Sequence, residues 1–385
     1  MAVRKHVAVI GAGVVGLGIA YEALRRGHQV TVVDPSPAAG ATFAAAGMLA
    51  PVSEHYYQEE QLLALTTESA RLYPAFLQGL GPTGHQTNGT LVAGFDAGDR
   101  LALEELRRAQ LAQGLQVQQL TSREARRLEP GLSPALAGAF LASGDHQIDP
   151  RALAAALLAA LAEGGAALVR RRATAVVRLP TGEVSGVVLD DGTRIAADET
   201  VVANALAAPE LDGLPESVRL PLRPVYGDIL RLRVPPALRP LVQLTVRGLV
   251  RGLPVYLVPR EDGTVVIGAT SREDGSDAPS AGGVYQLLRD AQALVPAVSE
   301  LQLEEATCRA RPGTPDNAPL LGRITVGGAD LPGLLVATGF FRHGVLLTPV
   351  AARICADLID GMTVPAELLQ FRPDRFSNSM EGSQR

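Results

Sequence analysis

Gly11, Gly13 and Gly16 stand in the spacing G-x-G-x-x-G, immediately after an apolar, β-branched run at residues 7–10. At a turn from strand into helix that spacing has a specific use. The first glycine permits the tight turn, the second lets backbone approach a pyrophosphate with no Cβ in the way, and the third lets the helix pack closely on the strand. The helix start then offers unpaired N–H groups and a partial positive charge to phosphate. A second apolar strand at residues 29–33 closes on Asp34, where an acid can accept the ribose hydroxyls. An acid there repels a 2′-phosphate, so the unit reads as a site for an adenine dinucleotide other than NADP.

Other chemistries lack their residues. Lys5 is the only lysine and precedes the first strand, which removes Schiff-base chemistry and a P-loop. The six histidines show no H-x-x-x-H spacing, Cys308 and Cys355 form no C-x-x-C, and no G-x-S-x-G elbow occurs. No metal site is expected. A net charge of -5 gives no electrostatic reason to expect nucleic acid or an anionic membrane surface. Two unpaired cysteines, a first strand reached at once, and an apolar helix run confined to residues 152–162 predict a cytoplasmic protein without a membrane span.

The elements that must position these residues follow from periodicity and turn signals. A helix is expected at 59–80, perhaps broken at Pro74, then a strand at 88–95, a charged helix at 99–114 and a strand at 136–142. Asp149 and Pro150 start a helix that ends near Gly164 and Gly165. Strands follow at 167–169, 173–178, 183–189 and 200–203, then an antiparallel sheet over 224–270 with a hairpin pairing 255–258 and 265–269. A helix at 280–297, a strand at 334–337 and a helix at 343–361 complete the chain. The small residues at 41–51 suit either a segment pressed against a flat ligand or an alanine-rich helical turn. His55, Tyr56 and Tyr57 suit either a lid or a plain surface loop. The order predicts an α/β fold in which a Rossmann-like nucleotide domain (1–86, 147–218, 306–372) is interrupted by an antiparallel-sheet substrate domain (87–146, 219–305), with a flexible tail at 373–385.

Six blocks in this order, GAGVVG, ATFAAAGMLAP, DHQIDPRAL, VYLVPREDGTVVIGAT, RARPGTPDNAPLLG and ATGFFRHGVLLTP, make the chain similar to the FAD-dependent amine oxidases of the D-amino-acid oxidase superfamily, and most of all to their glycine oxidase branch, associated with thiamine biosynthesis. The resemblance runs from Val7 to about Phe376. It implies that Gly11, Gly13, Val14, Val15, Gly16, Asp34 and Pro35 hold the ADP half of FAD, with Thr42, Phe43, Ala45, Ala46, Gly47 and Met48 along the pyrophosphate and isoalloxazine. Thr174 would offer backbone to the adenine, and Ala203 and Asn204 join the cofactor set. Gly339, Arg342, His343, Gly344, Val345 and Leu346 would aim helix-start amides at the flavin pyrimidine edge, where reduction puts negative charge. His343 replaces the family's usual asparagine.

The resemblance also implies a substrate carboxylate held by Arg311, Arg342 and Tyr256, a guanidinium fork with a phenol beside it. No acid or base residue is required. Hydride passes from the α-carbon of an amino acid whose amine is neutral to non-covalent FAD, and dioxygen reoxidises it to give hydrogen peroxide. Ser271 stands where relatives carry Met or another apolar residue, Pro254 where one family pattern has His, and Ala203-Asn204-Ala205-Leu206-Ala207 where the family has A-A-G-A-W. Cys308 is out of register with the covalent flavin attachment of the sarcosine oxidase branch. The leading expectation is a glycine oxidase-like homo-oligomer acting on glycine and small amino acids. A D-amino-acid oxidase or dehydrogenase of different range, and an FAD-bound assembly subunit, are the alternatives.

Overall fold

The computed structural model describes residues 3–57, 59–363 and 365–377. Strand His6–Ile10, helix Val14–Arg25 and strand Gln29–Val33 form the βαβ unit. The sheet grows on both sides of it in the order Leu320–Val326, Ala329–Thr338, Glu199–Val202, His6–Ile10, Gln29–Val33, Ala167–Val169. All neighbours are parallel except the first pair. Such a sheet must be covered on both faces, and its central strands are buried along nearly their whole length. Val7 and Val9 pack with helices Val14–Arg25, Pro150–Glu163 and Thr348–Ile359. Ala8 and Ile10 pack against a small sheet of strands Ala173–Arg178, Val184–Leu189 and Arg194–Ala196.

The second layer is an eight-stranded sheet in the order Gln302–Gly313, Arg223–Arg233, Thr264–Gly268, Leu253–Pro259, Thr245–Val250, Thr90–Gly94, Gly138–Ala142, Gln118–Leu120. It is mixed rather than purely antiparallel, because Thr245–Val250 runs parallel to Thr90–Gly94. Helix Ala281–Leu294, started by the Ser280 hydroxyl accepting from Gly283 N, buries Leu287, Ala291 and Leu294 on it. Helix Ala97–Ala112, with an Asp96/Asp99 capping box, covers the far end through Leu103. The expected α/β architecture, a nucleotide layer interrupted by a second sheet, is the one observed.

Several expectations shift. Strand Gln302–Gly313 carries the second sheet past the boundary expected at 305/306, pairing with Arg223–Arg233 as far as Gly313. Helix Glu60–Phe76 continues through Pro74, which falls in its last turn, where the proline ends the helix rather than splitting it. The segment at 41–51 forms a turn of helix at Ala41–Ala44 and then a short strand at Met48–Leu49 paired with His146–Gln147. The last helix begins at Thr348 rather than His343, preceded by a 3-10 turn at Phe341–His343. Residues 373–377, expected to be flexible, are tied down. Asp374 accepts from Thr325 N, and Arg375 pairs with Asp316 at 2.9 Å. The remainder of that tail, 378–385, lies outside the described residues.

Candidate active site

A single cavity of about 1300 Å3 runs from the glycine-rich turn to the second sheet. This is above the roughly 300–1,000 Å3 of an ordinary small-ligand site and suits a large, two-part occupant. At its first end Gly11 has φ +106, and a Cβ there would lie 2.5 Å from the Ala203 carbonyl oxygen. A Cβ on Gly16 would overlap the Gly11 carbonyl oxygen, so this glycine serves helix–turn packing and does not line the cavity. Gly13 opens on the Thr42 hydroxyl, which accepts from Val14 N at 3.0 Å at the helix start. Asp34 sits at the strand end with its carboxylate accepting from Ala12 N and Ser36 N, both at 2.7 Å. Pro35, Val15, Thr174, Ala203 and Asn204 line the same end. The Asn204 side-chain oxygen is buried with no partner among the described residues, a polar atom that a bound dinucleotide can satisfy.

The middle of the cavity is walled by Ala45, Ala46, Gly47 and Met48, with Gly339, Gly344 and Val345 opposite in sequence. A Cβ on Gly47 would fall 2.7 Å from Pro150 Cδ, so the chain here lies flat and close. The wall is pinned from behind by three arginines. Arg151 Nε donates to the Phe43 carbonyl at 2.9 Å, Arg231 reaches the same oxygen at 3.3 Å, and Arg260 donates to the Ala46 carbonyl at 2.5 Å. Flat small-residue walls, a turn that tolerates no Cβ, and an unpaired buried acceptor fit the dinucleotide implied by the motif.

Besides Gly16, three expected cofactor residues do not line it. The Phe43 ring lies 3.6 Å beneath the Arg151 guanidinium and faces away. Leu346 belongs to the core beneath the last helix, where its carbonyl accepts from Ser69 at 2.6 Å. His343 is buried, its Nδ1 lying 3.9 Å from Glu54 Oε2. Leu346 gains more from burial than from facing a wet cleft, whereas Phe43 is a half-buried ring held against the Arg151 and Arg309 guanidiniums.

At the second end, Arg311, Tyr256, Arg342 and Ser271 all line the cavity. Arg311 lies across Gly227 of the neighbouring strand, and a Cβ there would be 2.5 Å from its Cζ. Tyr256 lies across its cross-strand partner Gly268, whose Cβ would be 2.6 Å from the phenol Cζ. The two glycines are the spaces into which the polar side chains fold flat. Burial, opposed by Arg311, pushes the Tyr256 phenol up to about 12, so it stays a donor. Arg342 is engaged differently. It donates to Glu59 and stacks over Tyr56 with 4.7 Å between guanidinium carbon and ring centroid. Of His55, Tyr56 and Tyr57, Tyr56 lines the cavity, His55 is buried and Tyr57 is exposed.

Sequence reading missed a buried ion pair at this end. Arg247 stands opposite Tyr256 on paired strands, and its Nη1 donates to Glu54 Oε1 at 2.7 Å. Burial opposes the Glu54 charge, but Arg247, with Arg342 behind it, holds that carboxyl below its usual range. Arg247 is pushed up in return, its burial overcome by Glu54. Burial and the charge on Arg342 push His343 down to about 3, keeping it neutral. Asp145 accepts from Val52 N at 2.9 Å and Ser53 N at 2.8 Å, fixing the segment that bears Glu54, and burial pushes it up to about 6. The available signal was a lone arginine inside the apolar strand Thr245–Val250.

The comparisons with known proteins agree with this geometry. The chain is 34% identical over 380 residues to the glycine oxidase of Geobacillus kaustophilus, covering 96% of each. The crystal structure of glycine oxidase from that organism superposes with a TM-score of 0.85 at 33% identity, covering 97% of this chain and 99% of that one. A bifunctional protein ThiO/ThiG of Trichormus variabilis is 32% identical over 97% of this chain, which spans only 55% of that relative's length. Among the described residues no helix is long and apolar enough to cross a membrane, and no cluster suits a metal ion. The family model described as FAD dependent oxidoreductase matches residues 6–358, so the chain belongs to that family, and FAD is its cofactor.

Proposed function

We propose that the protein oxidises glycine and other small amino acids, one amino acid, one dioxygen and one water giving a 2-oxo acid, ammonia and hydrogen peroxide. The observation that carries this reading is the pairing of Arg311 and Tyr256 over Gly227 and Gly268, in the same cavity as the G-x-G-x-x-G turn. FAD, when bound, supplies the two-electron acceptor for the α-carbon hydride.

The chain's own part is binding and orientation. Arg311 pairs its forked donors with the substrate carboxylate, and the Tyr256 hydroxyl adds one more hydrogen bond. That fixes the α-carbon toward the wall at Ala45–Met48 and converts binding into alignment. Glu54 is a weak base, since Arg247 holds it as the anion, so the amine arrives neutral rather than being deprotonated in the site. Cys308 is buried beside Arg272, 3.3 Å from its Nη2, and does not line the cavity, which supports non-covalent FAD.

The test is a panel of glycine, sarcosine, D-alanine and D-proline added anaerobically to the purified holoenzyme. Loss of visible flavin absorbance with glycine, and recovery in air with equimolar peroxide, is the expected result. If none of them bleaches the flavin, the reading fails. Dye reduction under nitrogen without peroxide in air would make the protein a dehydrogenase.

A further inference from the structure

The cavity does not end at Tyr256, and we infer that it continues into a recess for an apolar substituent on the amino-acid substrate. The inference rests on the reading of Arg311 and Tyr256 as the carboxylate end. Gly268, Tyr256, Arg247 and Val92 occupy matched positions on four adjoining strands, so they form one row across one face of the sheet. At a strand spacing of about 4.8 Å, Val92 stands on the order of 10 Å from Tyr256. Along that row the floor changes from phenol and guanidinium to alkyl.

The guanidinium in the row is matched by Glu54 at 2.7 Å, so a group passing over it meets a neutralised pair. Beyond it, Leu249 extends the floor on the same face, two residues on from Arg247. Leu103 and Leu106 of helix Ala97–Ala112 close over the floor, packing with Val92 and Leu249. All four apolar residues line the same cavity as Arg311. Glycine carries no substituent to set on these walls, whereas an alkyl group on the substrate extends along the row toward them. Each methylene buried there adds about fourfold in affinity.

Two carboxylates that cannot be oxidised, acetate and 4-methylpentanoate, are titrated into the holoenzyme and followed by the flavin absorbance change. Binding of 4-methylpentanoate at least about tenfold tighter than acetate is expected. Leu106→Phe, which fills the recess, should abolish that preference and leave acetate unchanged. If Leu106→Phe does not retain FAD, Leu106→Ala is read instead, and selective weakening of 4-methylpentanoate gives the same support. Equal affinity of the two acids in the wild type, or equal loss of both in the variants, overturns the recess alone. If neither acid perturbs the flavin, the carboxylate reading falls and the recess with it. Anaerobic reduction by D- or L-leucine faster than by glycine places the group on the α-carbon, and by N-isobutylglycine on the nitrogen. Reduction by glycine alone overturns the proposal.

Discussion

Arg247 and Glu54 face each other inside the cavity wall, with 2.7 Å between Nη1 and Oε1 and side chains only 11% and 9% exposed. They join the second sheet to the segment that follows the small-residue wall. A pair this buried gains little over an apolar replacement of both partners, but loss of one partner strands the other.

Arg247→Met is therefore expected to destabilise the fold by about 3–5 kcal/mol, read by chemical denaturation of the holoenzyme. The double variant Arg247→Met, Glu54→Leu should recover most of it. Glu54 has a folded pKa below its unfolded value of 4.5, so its contribution is complete above that pH and is lost as pH falls below it. A single variant as stable as the wild type at pH 7 would contradict this.

His343 makes the fold acid-sensitive in a second way. It is neutral in the folded protein down to about 3, whereas the unfolded chain takes up a proton near 6.5. Stability from this group is full above about 6.5 and falls progressively as pH drops toward 3. His343→Asn should flatten the fall in melting temperature over that window. Asp145, shared by both proteins, cancels in the comparison. Parallel pH profiles would refute the assignment.

Arg311→Ala should weaken carboxylate binding by about 2–4 kcal/mol, read as the loss in kcat/KM for the best substrate. Flavin content should not change, because Arg311 stands at the opposite end of the cavity from Gly11 and Asp34. Normal turnover would show that another residue holds the carboxylate.

Gly227→Ala tests the same arrangement without touching a polar group. The new Cβ would lie 2.5 Å from Arg311 Cζ, so the flexible guanidinium must move off its strand. Substrate KM should rise by about tenfold or more, consistent with sub-ångström demands on positioning. Melting temperature should move by only a few degrees, since the atom displaced is the end of a long side chain. An unchanged KM would mean that Arg311 does not work from the position it occupies here.

How much of this was written in the sequence depends on the range of each signal. The turn at Gly11, Gly13 and Gly16 and the acid at Asp34 were legible because every requirement there is local. The hairpin placing Tyr256 beside Gly268 was legible from alternation and the turn at Gly263. Strand Gln302–Gly313 was not, because its charged and small residues show no clear period, although it carries Arg311. Glu54 and Arg247 lie far apart in the chain, and no local pattern announces that two charges will be buried against each other. Phe43, His343 and Leu346 were placed at the cavity by family analogy, but Leu346 is drawn into the apolar core, His343 is buried beside Glu54, and Phe43 packs half-buried under Arg151.

The three guanidiniums behind the wall come from both layers, Arg151 from the helix after Asp149, Arg231 from the eight-stranded sheet and Arg260 from the turn that follows its strand Leu253–Pro259. The seat for the prosthetic group is thus complete only when both halves of the molecule have come together. Yellow colour retained through purification becomes a gauge of long-range assembly, and a lesion deep in the second sheet should announce itself first as bleached protein.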